Sequence, residues 1–236
     1  MRPRRVAAGW LFLAMVLGTP PGSRAAHLTG TVKAEARVKN PQSAGGGAYA
    51  NRALQSAARF DYDSLQNVVV FAVPLDSGAS SAADAGPRAV EMAFREDRSE
   101  ARAEPDFLLA RAGTSVSFRN ATRRPVTVFA GGASPDSFTL AVSSKSAAQR
   151  TLTESGLYEV GLLEFPDARA EIFAAGPYSA LAGSGGRFDL EIPPGRYAVT
   201  AWHRRLPEQT REILVPAQGT ATADFVLSVK GLPEVP

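Results

Sequence analysis

The sequence predicts an all-β protein, and three observations carry that expectation. Apolar residues alternate with polar ones over short runs, the period-two signature of half-buried strands. Turn residues recur every 8–12 positions, too often to leave room for helices of ordinary length. The run NVVVFAVPL, 67–75, is almost continuously apolar and β-branched, as in a strand buried on both faces.

The elements follow in order. A first strand is expected over 27–37 and a second over 67–75. Between them, 40–64 opens with the flexible stretch SAGGG and continues as YANRALQSAARF, which reads as one short helix. SGASSAADAGP, 77–87, is a loop by composition. Strands are then expected at 88–94, 107–110, 114–120, 125–130, 137–142, 149–153, 157–163 and 168–174. The charged run REDRSEARAE, 95–104, balances its signs and reads as a solvated loop or an edge strand. A last group falls at 187–192, 196–202, 211–215 and 221–229. Glycine-containing turns punctuate the series at Ala112-Gly113, Ser155-Gly156, 183–186, 193–195 and Gln218-Gly219. A boundary is expected at 175–178. The chain then divides into an N-terminal strand and insertion, 26–65, a Greek-key sandwich, 66–175, a small β-module, 176–230, and a tail, 231–236. Four strands bury little by themselves, so the module should pack against the sandwich or complete it.

Composition limits the chemistry. The 236 residues are 44% hydrophobic and 21% charged, which is globular usage. There is no cysteine, which removes disulfides, thiolate metal sites and thiol catalysis. Only His27 and His203 are present, so a multi-histidine metal centre is excluded. The net charge of +3 is misleading. Arg2, Arg4, Arg5 and Arg24 lie in the first 25 residues, which contain no acid, leaving 22 of the 26 basic residues against 23 acidic ones. That balance gives no broad basic surface for nucleic acid.

The N-terminus, 1–25, reads as an export signal. A basic start is followed by the uncharged run VAAGWLFLAMVL, 6–17, then by Pro20, Pro21 and Gly22. Ser23 and Ala25 put small residues at the −3 and −1 positions of a cleavage site. As a helix, the run would span about 18 Å, short of a hydrocarbon core of about 30 Å. The mature chain is therefore expected from residue 26 onward, without a transmembrane segment, in the periplasm or outside the cell. The Ala-, Arg- and Gly-rich usage fits a GC-rich bacterial genome.

The segment GTSVSFRNATRRPVTVFA, 113–130, resembles the middle of a plastocyanin-like cupredoxin. There, a strand ending in Phe-x-Asn leads to Pro-His-Thr-Val, whose histidine binds copper. SGLYEV, 155–160, is similar to the strand that enters the Cys-x-x-His-x-x-x-Met-type copper loop. GRFDLEIPPGRYAVTAWHRRLPE, 186–208, resembles the end of exported bacterial proteins labelled methylamine-utilisation proteins. In these, a cupredoxin domain runs into a transthyretin-like module similar to carboxypeptidase regulatory domains. The resemblance spans 66–227 and implies a Greek-key cupredoxin-like β-sandwich with a small C-terminal transthyretin-like β-module. The family's copper-ligand positions fall at Val126, at Gly161, at or near Glu164, and around Asp167 or Ala168. None of these is an imidazole, thiolate or thioether, the donors of a type-1 site. The expectation is a scaffold without its copper: no metal, no cofactor and no catalytic residue.

The remaining motifs favour structural roles. Ala182-Gly183-Ser184-Gly185-Gly186 departs from the G-x-S-x-G nucleophile turn at its first position and reads as a hairpin turn. Asp61, Asp63 and Asn67 have oxygen-ligand spacing but lack the central glycine and closing glutamate of a calcium loop. Glu164, Asp167 and Glu171 read as a solvated loop edge, with hard-cation binding as the alternative. Asn120-Ala121-Thr122 is a formal glycosylation sequon read as a turn. Trp202, His203 and Arg205 form the one candidate ligand or partner surface. The alternative to it is that Trp202 fills the seam between the two parts and His203 closes a strand. The overall expectation is an exported, non-catalytic binding or envelope-associated module, with an unknown envelope protein or polysaccharide as partner. The rival expectations are a carbohydrate-binding module, and an electron-transfer or copper-handling protein related to methylamine-utilisation proteins.

Overall fold

The computed structural model describes residues 26–35, 65–76, 90–132 and 136–229. The expected export signal, the short helix within 40–64, the loop 77–87, Asp61 and Asp63 lie outside the described residues. The chain is all-β, built as two sandwiches side by side. Among the described residues no helix is long and apolar enough to cross a membrane.

The first sandwich runs from β3 (Val90–Asp97) to β11 (Arg169–Ala175). One sheet has the order β4-β3-β6-β9, with β4 at Glu100–Glu104, β6 at Ser115–Asn120 and β9 at Ala147–Thr151. The other has the order β5-β11-β10-β7-β8, with β5 at Phe107–Arg111, β7 at Val126–Gly132, β8 at Phe138–Val142 and β10 at Gly156–Leu162. The chain crosses repeatedly between the sheets, the weave of a Greek-key sandwich. Alternation places Met92, Phe94, Val116 and Phe118 of one sheet against Val128, Tyr158, Val160, Leu162 and Ile172 of the other. The balanced charges of 95–104 are resolved as the end of β3, a turn and the edge strand β4, and Arg95 of β3 pairs with Glu104 of β4 at 2.5 Å.

The second sandwich is assembled from both ends of the chain. One sheet has β1 (Ala26–Glu35) between β13 (Arg187–Ile192) and the parallel strands β16 (Thr220–Thr222) and β17 (Phe225–Ser228). The other has the order β12-β2-β14-β15, from Tyr178–Leu181, Val69–Pro74, Gly195–His203 and Leu206–Val215. Its core joins Leu28, Val32, Phe188, Ile192 and Phe225 to Val70, Tyr197, Val199 and Ala201.

This differs from the linear division expected above. The strand over 69–74 does not belong to the first sandwich: it pairs with β12 and β14. Nor does β1 stand apart, since it is the central strand of its sheet. The first sandwich is thus an insertion between β2 and β12. The physical reason is visible in β2, which is apolar on both faces: one face enters the second core and the other meets the first sandwich. At Gly30 a Cβ would run into the backbone oxygen of Ala223, so β1 lies too close to the chain's end for any side chain there.

Each sandwich carries the same tyrosine device. Tyr158 donates its hydroxyl to Glu154 O at 2.9 Å, and Tyr197 donates to Pro193 O at 2.9 Å. Both rings are fully buried and anchored four residues back along the chain. Burial pushes the Tyr197 hydroxyl above its ordinary pKa.

Candidate functional site

Two places have the geometry of a site: the end of the first sandwich near the β7 start, and the seam between the sandwiches.

At the first, Asn120 closes β6. Its Nδ2 donates to Arg124 O at 2.8 Å, Val142 O at 3.1 Å and Ser143 O at 3.2 Å, and its Oδ1 accepts from Thr122 N at 2.9 Å. The side chain is fully buried, so the sequon residue, read as a turn, is instead the buried last residue of β6 and ties the following loop to the sheet. The chain then enters β7 at Val126, 1% exposed, and Val128 pairs with Leu162 across β7 and β10. Beyond Leu162 the loop turns back through Phe165 and Ala168, and Ala168 N donates to Phe165 O at 2.9 Å. Val126, Leu162, Phe165 and Ala168 are all at most 5% exposed and share one core cluster. The Arg124 guanidinium caps this plug, 4.3 Å from the centre of the Phe165 ring.

The expected ligand positions map onto this end with one shift. Val126 points inward. Gly161 does not: strand parity puts it on the outer face, under the Phe129 ring, where a Cβ would stand 2.5 Å from Cζ. Leu162 is the inward residue at that level. Glu164 is turned outward, accepting from Thr127 N at 2.7 Å and from Thr127 Oγ1 at 2.9 Å. Burial raises its pKa, but these hydrogen bonds, its own backbone N–H and the Arg124 charge outweigh burial and hold it below the ordinary value. The residues present do not fit a type-1 copper ion, since the inward groups are hydrocarbon. Glu164, Asp167 and Glu171 do not converge: Glu164 holds β7, Asp167 lines a shallow surface depression, and Glu171 lies in the seam. Among the described residues no group of three or more His, Asp or Glu is placed to hold a metal.

The seam has an apolar and a polar half. Phe107, Leu109, Leu157 and Phe173 on the outer face of the five-stranded sheet pack against Val69, Phe71 and Trp202 of the second sandwich. The Phe173 and Trp202 rings lie 4.4 Å apart at 39°. Beside them the face turns polar. Glu159 and Glu171 are direct partners across β10 and β11. Arg204, in the turn between β14 and β15, donates from Nη2 to Glu159 Oε1 at 2.6 Å and from Nη1 to Glu171 Oε1. Next to this clasp is a cleft of about 390 Å³, lined by Phe129, Gly131, Gly161, Arg169 and Asp106 among others. Asn67, at φ +59°, also lines it.

The trio Trp202, His203 and Arg205 is divided by the fold. Trp202 is partly buried in the seam, and His203 is 8% exposed at the end of β14. Arg205 is exposed, and its backbone N–H donates to His203 Nδ1 at 3.2 Å. Burial, then the Arg205 charge, lowers the His203 pKa. The second histidine, His27, lies on β1 with Nδ1 2.9 Å from Asp189, whose hydrogen bond and charge raise its pKa. Glu159 and Arg169 had no motif to mark them, and Glu171 groups in the sequence with Glu164 and Asp167 rather than with these seam neighbours. They become neighbours only through the β10–β11 register.

No family model matches the chain, and no curated protein matches it. Among solved structures it is similar to a purple cupredoxin from Nitrosopumilus maritimus, at 13% identity and a TM-score of 0.33, over 36% of this chain and 99% of that one. It is also similar to amicyanin from Paracoccus versutus, at 18% identity and a TM-score of 0.32, over 47% of this chain and all of that one. A copper(I) form of an amicyanin mutant aligns at 20% identity and a TM-score of 0.32, over 44% of this chain and 98% of that one.

Proposed function

We propose that this chain is an exported, non-catalytic binding module: a cupredoxin-type sandwich whose copper-ligand positions have become core, inserted in a transthyretin-like sandwich. The observation that carries the reading is the apolar plug of Val126, Leu162, Phe165 and Ala168, each at most 5% exposed. A copper centre needs two imidazoles and a thiolate aimed inward. Here the inward groups are hydrocarbon, and the polar groups around them hold loops. Electron transfer through such a centre has no donor set on which to act. The reading as a non-enzyme rests on the two histidines as well. One is spent at a strand end and the other on an exposed ion pair. The polar seam is then the surface available for a ligand, and the export-type sequence of residues 1–25 supports a site of action in the periplasm or outside the cell, with an envelope protein or polysaccharide as the partner.

Copper titration followed by desalting and metal analysis tests this. The expected result is that any retained copper disappears in the His27→Ala/His203→Gln double variant. One equivalent of copper retained by that double variant would overturn the reading, because it would require a centre inside the sandwich.

A further inference from the structure

We propose that the cleft in the seam is a saccharide-binding site, with Phe129 as its platform. The proposal rests on the binding-module reading and names the ligand class for it. Phe129 is 37% exposed although it sits mid-strand, because its position on β7 faces outward. The ring tip rests on Gly161, where a Cβ would meet Cζ at 2.5 Å and Cε1 at 2.9 Å. A side chain at 161 would push the ring off the sheet, so the glycine keeps it low over β10. On the far side of Gly161 stands its cross-strand partner Arg169. No ion pair of the described residues engages that guanidinium, and it is exposed to the cleft. Glu159 and Asp106 supply acceptors on the same floor.

Charge and size select the ligand class. The cleft walls carry Asp106, Glu159 and Glu171 against Arg169 and Arg204, one negative charge in excess. That balance suits neither a polyanion nor a polycation. The volume of about 390 Å³ falls in the range of small-molecule sites, roughly 300–1,000 Å³. A neutral pyranose meets all of these features. Its C–H face packs on an aromatic ring, and its rim hydroxyls accept from a guanidinium and donate to carboxylates.

Calorimetry on the full chain with cellohexaose, chitohexaose, mannohexaose and xylohexaose tests the site, with hexagalacturonate as the acidic comparison. At least one neutral probe is expected to bind with a millimolar or tighter Kd. Phe129→Leu, which keeps Gly161 covered but removes the flat ring, and Arg169→Ala are each expected to weaken it at least tenfold while the melting temperature holds. Failure of all four neutral probes at millimolar concentration, binding unchanged in either variant, or binding of hexagalacturonate alone would overturn the proposal. The copper titration is independent. A chain that holds no copper and binds no sugar loses the saccharide site and keeps the broader reading.

Discussion

Glu159 and Glu171 stand directly opposite one another across β10 and β11, and a single guanidinium from the other sandwich, Arg204, reaches both. Like charges in a cross-strand pair repel, so the pair is acceptable only with the cation between them. The two sandwiches are thereby clasped next to the Phe173–Trp202 contact.

Arg204→Ala is expected to cost about 1 kcal/mol at low salt, since the clasp is half-exposed. Urea unfolding at low and high salt checks this: the loss should shrink as salt screens the exposed Glu159 and the half-buried Glu171. Adding Glu171→Gln should restore part of the loss. Equal and additive losses in the two single variants would show that the three groups do not act together.

Trp202→Ala removes the ring that joins the sandwiches and should cost about 3 kcal/mol, the low end for an aromatic truncation because the ring is only partly buried. In a chain lacking residues 1–25, Trp202 is the sole tryptophan. Its emission should be blue-shifted and poorly quenched by iodide. A red-shifted, readily quenched emission would place it on an open surface.

Much of this seam was hidden in the sequence for a physical reason. Periodicity reports which face of a strand is apolar, so β6, β7, β10 and β14 could be placed from their alternation alone. It does not report which strand lies beside which. The apolar run 67–75 reads as a doubly buried strand; it is buried on both faces only over 68–72, with Val73 and Leu75 exposed, and its partners β12 and β14 lie over a hundred residues away. Gly161 illustrates the limit at single-residue scale. Counting along the motif put a ligand position there, and a one-residue offset on a strand exchanges the core for the outer face. The resemblance around Asn120 and the absence of cysteine were legible because they depend on residue identity alone.

Glu164 ties the loop after β10 to Thr127, and its pKa lies below the ordinary 4.5. A lowered carboxyl pKa contributes stability above the unfolded value, and that contribution is lost as pH falls through the folded value. Glu164→Gln should therefore destabilise the protein at neutral pH and converge with wild type at pH values below 4.5. Thermal melts from neutral pH into acid check this. A constant gap between the two proteins would show that the carboxylate charge is irrelevant.

The two histidines should titrate apart in proton NMR. His27 is expected above 6.5 because Asp189 favours its charged form, and His203 below 6.5 because burial disfavours it. Linkage gives opposite signs: the His27 contribution is present below 6.5 and fades as pH rises through its folded value, while the His203 contribution fades as pH falls. Asp189→Asn should return His27 toward 6.5 and leave His203 where it was.

The central proposal is that a cupredoxin-like sandwich carries core side chains at the inward positions where a type-1 copper site would need donors. The direct measurement is to put donors back at the inward positions, as Val126→His, Leu162→Cys, Phe165→His and Ala168→Met together, and to record visible absorption after adding copper(II). The account predicts a folded variant that takes up one copper with an intense thiolate-to-copper band, while a matched variant with Gly161→Cys in place of Leu162→Cys shows none. A folded Leu162→Cys variant with no such band, or equal bands from both, would contradict it.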